Sequence, residues 1–304
     1  MTSFSVWPSP ERPWSEVRTL AEYVDDGSWH CLWYADHFMP NTDDGSIADG
    51  DVHEVWSMLA AVGAVTTSIR IGSLVSPTTV RHPALLANTA ATIDRISNGR
   101  LTLGLGAGWQ VNEHRAYGIP LLGNKDRVDR FEEAMRIVRG LLTTDRTTFH
   151  GSHFTFEDAP CQPRPIQNPL PLMVGTGGPR MSRLTVELAD EWNTWGTPEV
   201  AGEKASVIDR ACEAAGRDPR SLKRSVQALF FLVDDADTAR RILESAPADR
   251  SVAGGPEVIA EAVSRYLDAG FDEIIFPDFT LGADADQRLA AYDRLNREVL
   301  ARFR

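Results

Sequence analysis

An aspartate beside a histidine, Asp36-His37, follows a short apolar run. A carboxylate next to an imidazole can orient a general base or anchor a ligand by hydrogen bonds, and the same pair can also cap a following helix. Asn112-Glu113-His114 offers amide, carboxylate and imidazole groups beyond a glycine-rich turn. These are either site groups or solvated residues of a helix's first turn. Gly175-Thr176-Gly177-Gly178 precedes Pro179. That arrangement leaves free N–H groups at a helix start, which suit a phosphate as well as an ordinary tight turn.

Other patterns dissolve on spacing. Gly104, Gly106 and Gly108 fail the dinucleotide fingerprint because Trp109 stands where its third glycine belongs. Gly118 to Lys125 fails the phosphate-binding loop because Asn124 occupies the lysine position, and His53-Glu54 fails the zinc-protease pattern at Ser57. No metal is expected. Cys31, Cys161 and Cys212 form no C-x-x-C pair and read as reduced thiols.

Chemistry at these positions needs elements to hold it there. Eight β-rich runs alternate with helical periods: Phe4 to Trp7, Cys31 to Ala35, Ile69 to Ser73, Leu101 to Leu105, Leu172 to Val174, Glu191 to Thr194, Val226 to Val233 and Glu273 to Phe276. Between them the spacing predicts helices, among them one from about Lys125 to Leu142 with Val128, Phe131, Met135, Val138 and Leu142 on one face. This alternation predicts an α/β fold, a (β/α)8 TIM barrel of one domain over residues 1–304. A hairpin is inserted around 144–170 and a variable loop lies around 245–256. In such a barrel the site lies on the loops after the strands. There stand Pro8, Asp36 with His37, Ser73 to Pro77, Gly106 to Glu113, Gly175 to Gly178, Trp195 with Gly196, and Pro277 with Asp278. The loop Met39 to Asp51, the hairpin Thr147 to Phe156 and the segment Ser245 to Gly255 are expected to form the variable walls.

Composition sets outer limits. The 304 residues are 42% hydrophobic and 24% charged, with 31 Lys and Arg against 43 Asp and Glu, a formal charge of -12. Such a chain folds as an ordinary globular protein and repels nucleic acid and anionic membrane. Prolines 8, 10 and 13 break the apolar stretch a signal peptide would need, which points to a cytoplasmic protein.

Taken in order, several segments resemble the bacterial luciferase-like flavin and deazaflavin oxidoreductases, in particular the branch that uses coenzyme F420. They are Phe4-Ser-Val-Trp-Pro-Ser-Pro, Ala35-Asp-His-Phe-Met-Pro, Ile71-Gly-Ser-Leu-Val-Ser-Pro, Arg81-His-Pro-Ala, Gly99-Arg-Leu-Thr-Leu-Gly-Leu-Gly-Ala-Gly-Trp, Asn112-Glu-His-Arg-Ala-Tyr-Gly and Val174-Gly-Thr-Gly-Gly.

The resemblance implies a homodimer, a small-molecule substrate and hydride transfer at C5 of the deazaflavin. It places Asp36 on the deazaflavin ring system, His37 over its reactive face, and a non-prolyl cis peptide at Ser73 and Leu74. Asn112 becomes a further cofactor contact, and Gly175, Thr176, Gly177 and Gly178 the phosphate turn. Proton transfer falls to His37, or to Glu113 through a water. Trp109 stands where the family's sugar-phosphate dehydrogenases carry an acid, so it reads with Trp195 and Phe279 as an aromatic wall for a flat or apolar substrate. Arg81, Arg180 and Arg183 are expected to make the cofactor mouth locally basic. The alternatives within the same resemblance are an FMN-dependent monooxygenase and a protein that holds flavin or deazaflavin without turnover.

Overall fold

The computed structural model describes residues 2–27, 29–175 and 177–304. Its strands are β1 (Ser3–Trp7), β2 (Cys31–Tyr34), β3 (Arg70–Ser73), β4 (Ser76–Pro77), β5 (Leu101–Gly106), β6 (Thr147–His150), β7 (Thr155–Ala159), β8 (Leu172–Gly175), β9 (Glu191–Trp195), β10 (Lys223–Gln227), β11 (Leu229–Leu232), β12 (Ser251–Gly254) and β13 (Glu273–Pro277). Eight of them, in the order β1, β2, β3, β5, β8, β9, β10, β13, pair in parallel, and β13 returns to β1 to close the cylinder. This is the (β/α)8 barrel that the alternation predicts. Buried strands of this kind read as near-continuous apolar runs, and the six residues of β5 are all buried.

The helices are α1 (Trp14–Asp25), α2 (Val55–Val65), α3 (Pro83–Ile96), α4 (Val111–Ala116), α5 (Asn124–Thr143), α6 (Pro179–Leu188), α7 (Pro198–Ala214), α8 (Ala236–Ser245), α9 (Pro256–Asp268) and α10 (Ala285–Arg294). Their ends follow local chemistry. Pro83 opens α3, where a missing N–H costs nothing. Asn98 and Gly99, at φ 56° and 80°, turn the chain left-handed to end it. On α5 the periodic residues Phe131, Met135, Val138 and Leu142 are all buried.

Two boundaries differ from expectation. The run Val226 to Val233 is not one strand. Its barrel part pairs Gln227 with Trp195 and Ile275, near where the neighbouring strands end, so the chain leaves the barrel and finds a new partner in β12. The segment 245–256 therefore holds a strand, Ser251–Gly254, rather than loop throughout. Thr147–His150 and Thr155–Ala159 pair as an antiparallel hairpin. No helix among the described residues is long and apolar enough to cross a membrane. The three cysteines are buried and free.

The amino ends of the strands enclose a charged plug. Glu273 is fully buried; its Oε1 accepts from Ser5 Oγ at 2.6 Å and from Trp33 Nε1 at 2.7 Å. Lys223 Nζ lies 2.9 Å from Oε2 and 3.8 Å from Glu191. Burial pushes the Glu273 carboxyl up, but Lys223, His30 and Ser5 outweigh it and hold it at about 2. A depressed carboxyl adds stability that is complete above the ordinary glutamate range and is lost as pH falls toward 2. Glu273→Gln is expected to cost about 2 kcal/mol near neutral pH, below the usual range for breaking a buried pair. The discount reflects Lys223, whose side chain keeps 30% exposure and can be solvated. Urea midpoints from pH 3 to 7 should fall with acid in the native protein and be flatter in the variant.

Candidate active site

At the opposite, carboxyl end of the barrel the strands open into a cavity of about 670 Å³. Its catalytic-type groups come from β2 and from α4, the short helix after β5. His37 follows β2, and its Nδ1 lies 3.1 Å from Glu113 Oε1. The second oxygen of Glu113 accepts the Phe38 N–H at 2.9 Å. A carboxylate only accepts hydrogen bonds, so Nδ1 is the donor in this contact. Glu113 is 1% exposed and His37 is 22% exposed, so the acid is sheltered while the imidazole reaches the cavity. Trp109 stands edge-on to His37 with ring centroids 5.6 Å apart.

The residues read from the sequence divide in the structure. His37, Leu74, Trp109, Glu113, Gly175, Gly177 and Gly178 all line the cavity. Asp36, Ser73 and Asn112 do not, and in each the side chain is already spent. Asp36 is buried and accepts from Ser76 Oγ at 2.7 Å and from Arg81 at 2.6 and 3.0 Å, so it holds the β4 turn rather than facing a ring. Burial raises its carboxyl, and Arg81 and Ser76 pull it back. Ser73 Oγ donates to Gly104 O at 2.9 Å and accepts from Gly104 N at 3.0 Å, which keeps Ser73 inside the ladder. The non-prolyl cis peptide accordingly lies one bond later than expected, at Leu74–Val75. Asn112 Nδ2 donates to Pro40 O at 2.8 Å and Ser46 O at 3.1 Å, so it pins the long loop after β2. Asn112 and Glu113 are buried, which removes the solvated first-turn reading. The helix-cap reading of Asp36 and His37 also falls, because Glu54 caps α2. Thr176 lies outside the described residues.

The glycines mark where a ligand has room. A methyl group on Gly106 would sit 2.7 Å from Val75, and one on Gly175 3.1 Å, so both backbones pack flat against the Leu74–Val75 bulge. A methyl group on Gly177 or Gly178 would meet nothing within 4 Å. These two residues stand at the head of the ten-residue helix α6, which opens on Pro179 and has no side-chain cap at Gly178, so among the described residues the N–H groups after Pro179 suit an anion. The arginines expected at the mouth are elsewhere. Arg81 is tied to Asp36 and Glu54, Arg180 to Asp129 and Glu132, and Arg183 lies exposed on α6 away from the cavity lining.

Several polar cavity residues escaped sequence reasoning, among them Glu11, Asn193, Lys204 and Gln227. Asn193 and Gln227 exchange amide hydrogen bonds at 2.7 and 3.0 Å on the floor, and Lys204 reaches in from α7. A polar residue inside an apolar strand is a readable sign for Asn193 and Gln227. Lys204 carries none, because its reach depends on how α7 packs.

Residues 1–270 match the family described as luciferase-like monooxygenase. Among curated relatives, an F420-dependent glucose-6-phosphate dehydrogenase of Nakamurella multipartita is 27% identical over 95% of this chain and 93% of its own. An FMNH2-dependent dimethylsulfone monooxygenase of Pseudomonas putida is 32% identical over 72% of this chain and 58% of its own. In fold, the chain is similar to a coenzyme F420-dependent tetrahydromethanopterin reductase from Methanopyrus kandleri, with TM-score 0.83, 18% identity and coverage of 100% and 99%.

Proposed function

The chain belongs to the luciferase-like monooxygenase family, and from that premise we propose that it is an F420-dependent oxidoreductase acting on a small organic molecule. The observation that carries the reading is the buried Glu113–His37 pair beside a glycine-cradled cavity whose far edge is a helix N-terminus. When bound, a 5-deazaflavin supplies a carbon that gives or takes a hydride, a two-electron step that leaves one proton to be managed.

The chain's own residues supply the rest. Leu74, Val75, Gly106 and Gly175 offer a flat aliphatic face for a ring, and Gly177 and Gly178 at the head of α6 receive its phosphate. Glu113 fixes the His37 tautomer, so that Nε2 accepts or returns the substrate proton. Trp109 stands edge-on beside His37.

FMN is the alternative cofactor, favoured by the 32% identical relative whose name specifies FMNH2. Loading the protein with reduced F420 and following the deazaflavin absorbance across a metabolite library tests the reading. Oxidation by a library member supports it, and no change with any member despite tight cofactor binding points to a non-catalytic binder. A homodimer in the cytoplasm is part of the same reading, and light scattering of the purified protein measures the assembly.

A further inference from the structure

The mouth of the barrel is built in two halves of different chemistry. Over β3, β5 and β8 it is aliphatic and glycine-rich. Over β9, β13 and β1 it is aromatic: Trp7 has Trp195 at 5.5 Å and Phe279 at 5.2 Å between ring centroids. Phe279 is 38% exposed, so this cluster presents an aromatic face rather than closing on itself. The floor beneath is Asn193 and Gln227, whose amides pair with each other and with Ser225.

Positive charge is equally one-sided. Lys204 is the one lysine or arginine among the described residues that line the cavity, and it belongs to the aromatic half because α7 follows β9. Its Nζ donates to Trp195 O at 2.8 Å, which leaves donors to spare on the ammonium. Other nearby cations are already paired: Arg12 with Asp278 at 3.0 Å, Arg288 with Glu16 at 2.6 Å, and Arg250, whose charge acts on Lys204, with Asp249 at 3.3 Å.

We propose that the aromatic half takes an uncharged, flat and mainly apolar substrate with one acceptor oxygen, its ring against Trp195, Trp7 and Phe279 and its oxygen at Lys204 Nζ. Aromatic faces of this kind reward ring contact beyond the area they bury. A phosphorylated sugar is a poor occupant. A phosphate dianion calls for several charge-assisted donors, usually including a bidentate arginine, and here it would meet one lysine and a wall of rings. The chain thus parts in substrate class from the relatives named glucose-6-phosphate dehydrogenases. The inference rests on the proposed function, since it assigns the glycine-rich half to the cofactor.

The test is equilibrium binding of 2-acetonaphthone, 2-ethylnaphthalene and glucose 6-phosphate, read by tryptophan fluorescence and calorimetry on the full chain with and without saturating F420. The ketone should bind at least about 100-fold more tightly than the sugar phosphate, undisplaced by F420. Phe279→Ala should weaken both aromatic ligands about tenfold. Lys204→Met should weaken the ketone about tenfold and leave the hydrocarbon unchanged, a difference that a general packing defect would not produce. Equal or tighter binding of glucose 6-phosphate, displacement of the ketone by F420, or equal loss of both aromatic ligands in Lys204→Met would overturn the proposal. Retained ketone selectivity in a protein that binds no F420 would uphold the substrate class while removing the cofactor reading.

Discussion

His37→Ala is expected to lower turnover with F420 by about 10²- to 10⁴-fold, the span usual for losing a positioned general acid or base. Glu113 Oε1, 3.1 Å from Nδ1, orients the ring, and the Phe38 N–H, 2.9 Å from Oε2, orients the acid in turn. Removing the imidazole leaves the hydride partners in place but takes away the base that Glu113 orients. The loss should therefore fall on kcat with little change in KM. His37→Asn, which keeps a polar group without a basic nitrogen, should be nearly as slow. Steady-state kinetics on the substrate found in the absorbance screen measures both variants, and unchanged kcat in either would remove His37 from the proton path. Glu113→Gln should fall between native and His37→Ala, because the amide oxygen still accepts one of the two hydrogen bonds.

Gly104→Ala should cost about 4 kcal/mol of stability, at the upper end of what single substitutions do. The added methyl carbon would collide with Ser73 O and lie 2.7 Å from Met173 Cε. A methionine tip can move, but the carbonyl is backbone in the neighbouring barrel strand, and a glycine inside a strand commonly marks such close approach. Relief requires pushing β3 away from β5, which also breaks the two hydrogen bonds between Ser73 Oγ and the Gly104 backbone. The Leu74–Val75 bulge begins one residue later, so the aliphatic face of the cavity should be displaced as well. Thermal unfolding should show a fall of roughly 8 °C or more. The surviving folded protein should bind F420 at least about tenfold more weakly. A native melting temperature would show that the strands yield without cost.

These two positions illustrate what the sequence made legible. His37 and Glu113 lie 76 residues apart in the chain, yet each follows a barrel strand. Strand periodicity and the rule that barrel sites sit at carboxyl ends were enough to bring them to one mouth. The glycine turn before Pro179 was readable for the same reason, since its N–H groups depend only on local backbone. What was not legible depends on side chains choosing among partners. Asp36 stands beside His37 in sequence, but the alternation of strand and turn sends it inward to Arg81 and Ser76. Asn112 likewise turns to the carbonyls of the loop after β2. Arg81, Arg180 and Arg183 are cations at plausible chain positions, and nothing in their spacing told of the acids that hold the first two. The break after Gln227 was hidden because an apolar run reads the same whether it stays in the barrel or pairs outside it.

The cavity is proposed to hold a deazaflavin. The most direct test is a paired equilibrium titration of the purified protein with F420 and with FMN, following cofactor fluorescence. Saturable F420 binding at least about tenfold tighter than FMN is expected, with added inorganic phosphate competing weakly at the head of α6. Tight binding of FMN with no measurable affinity for F420 would contradict it.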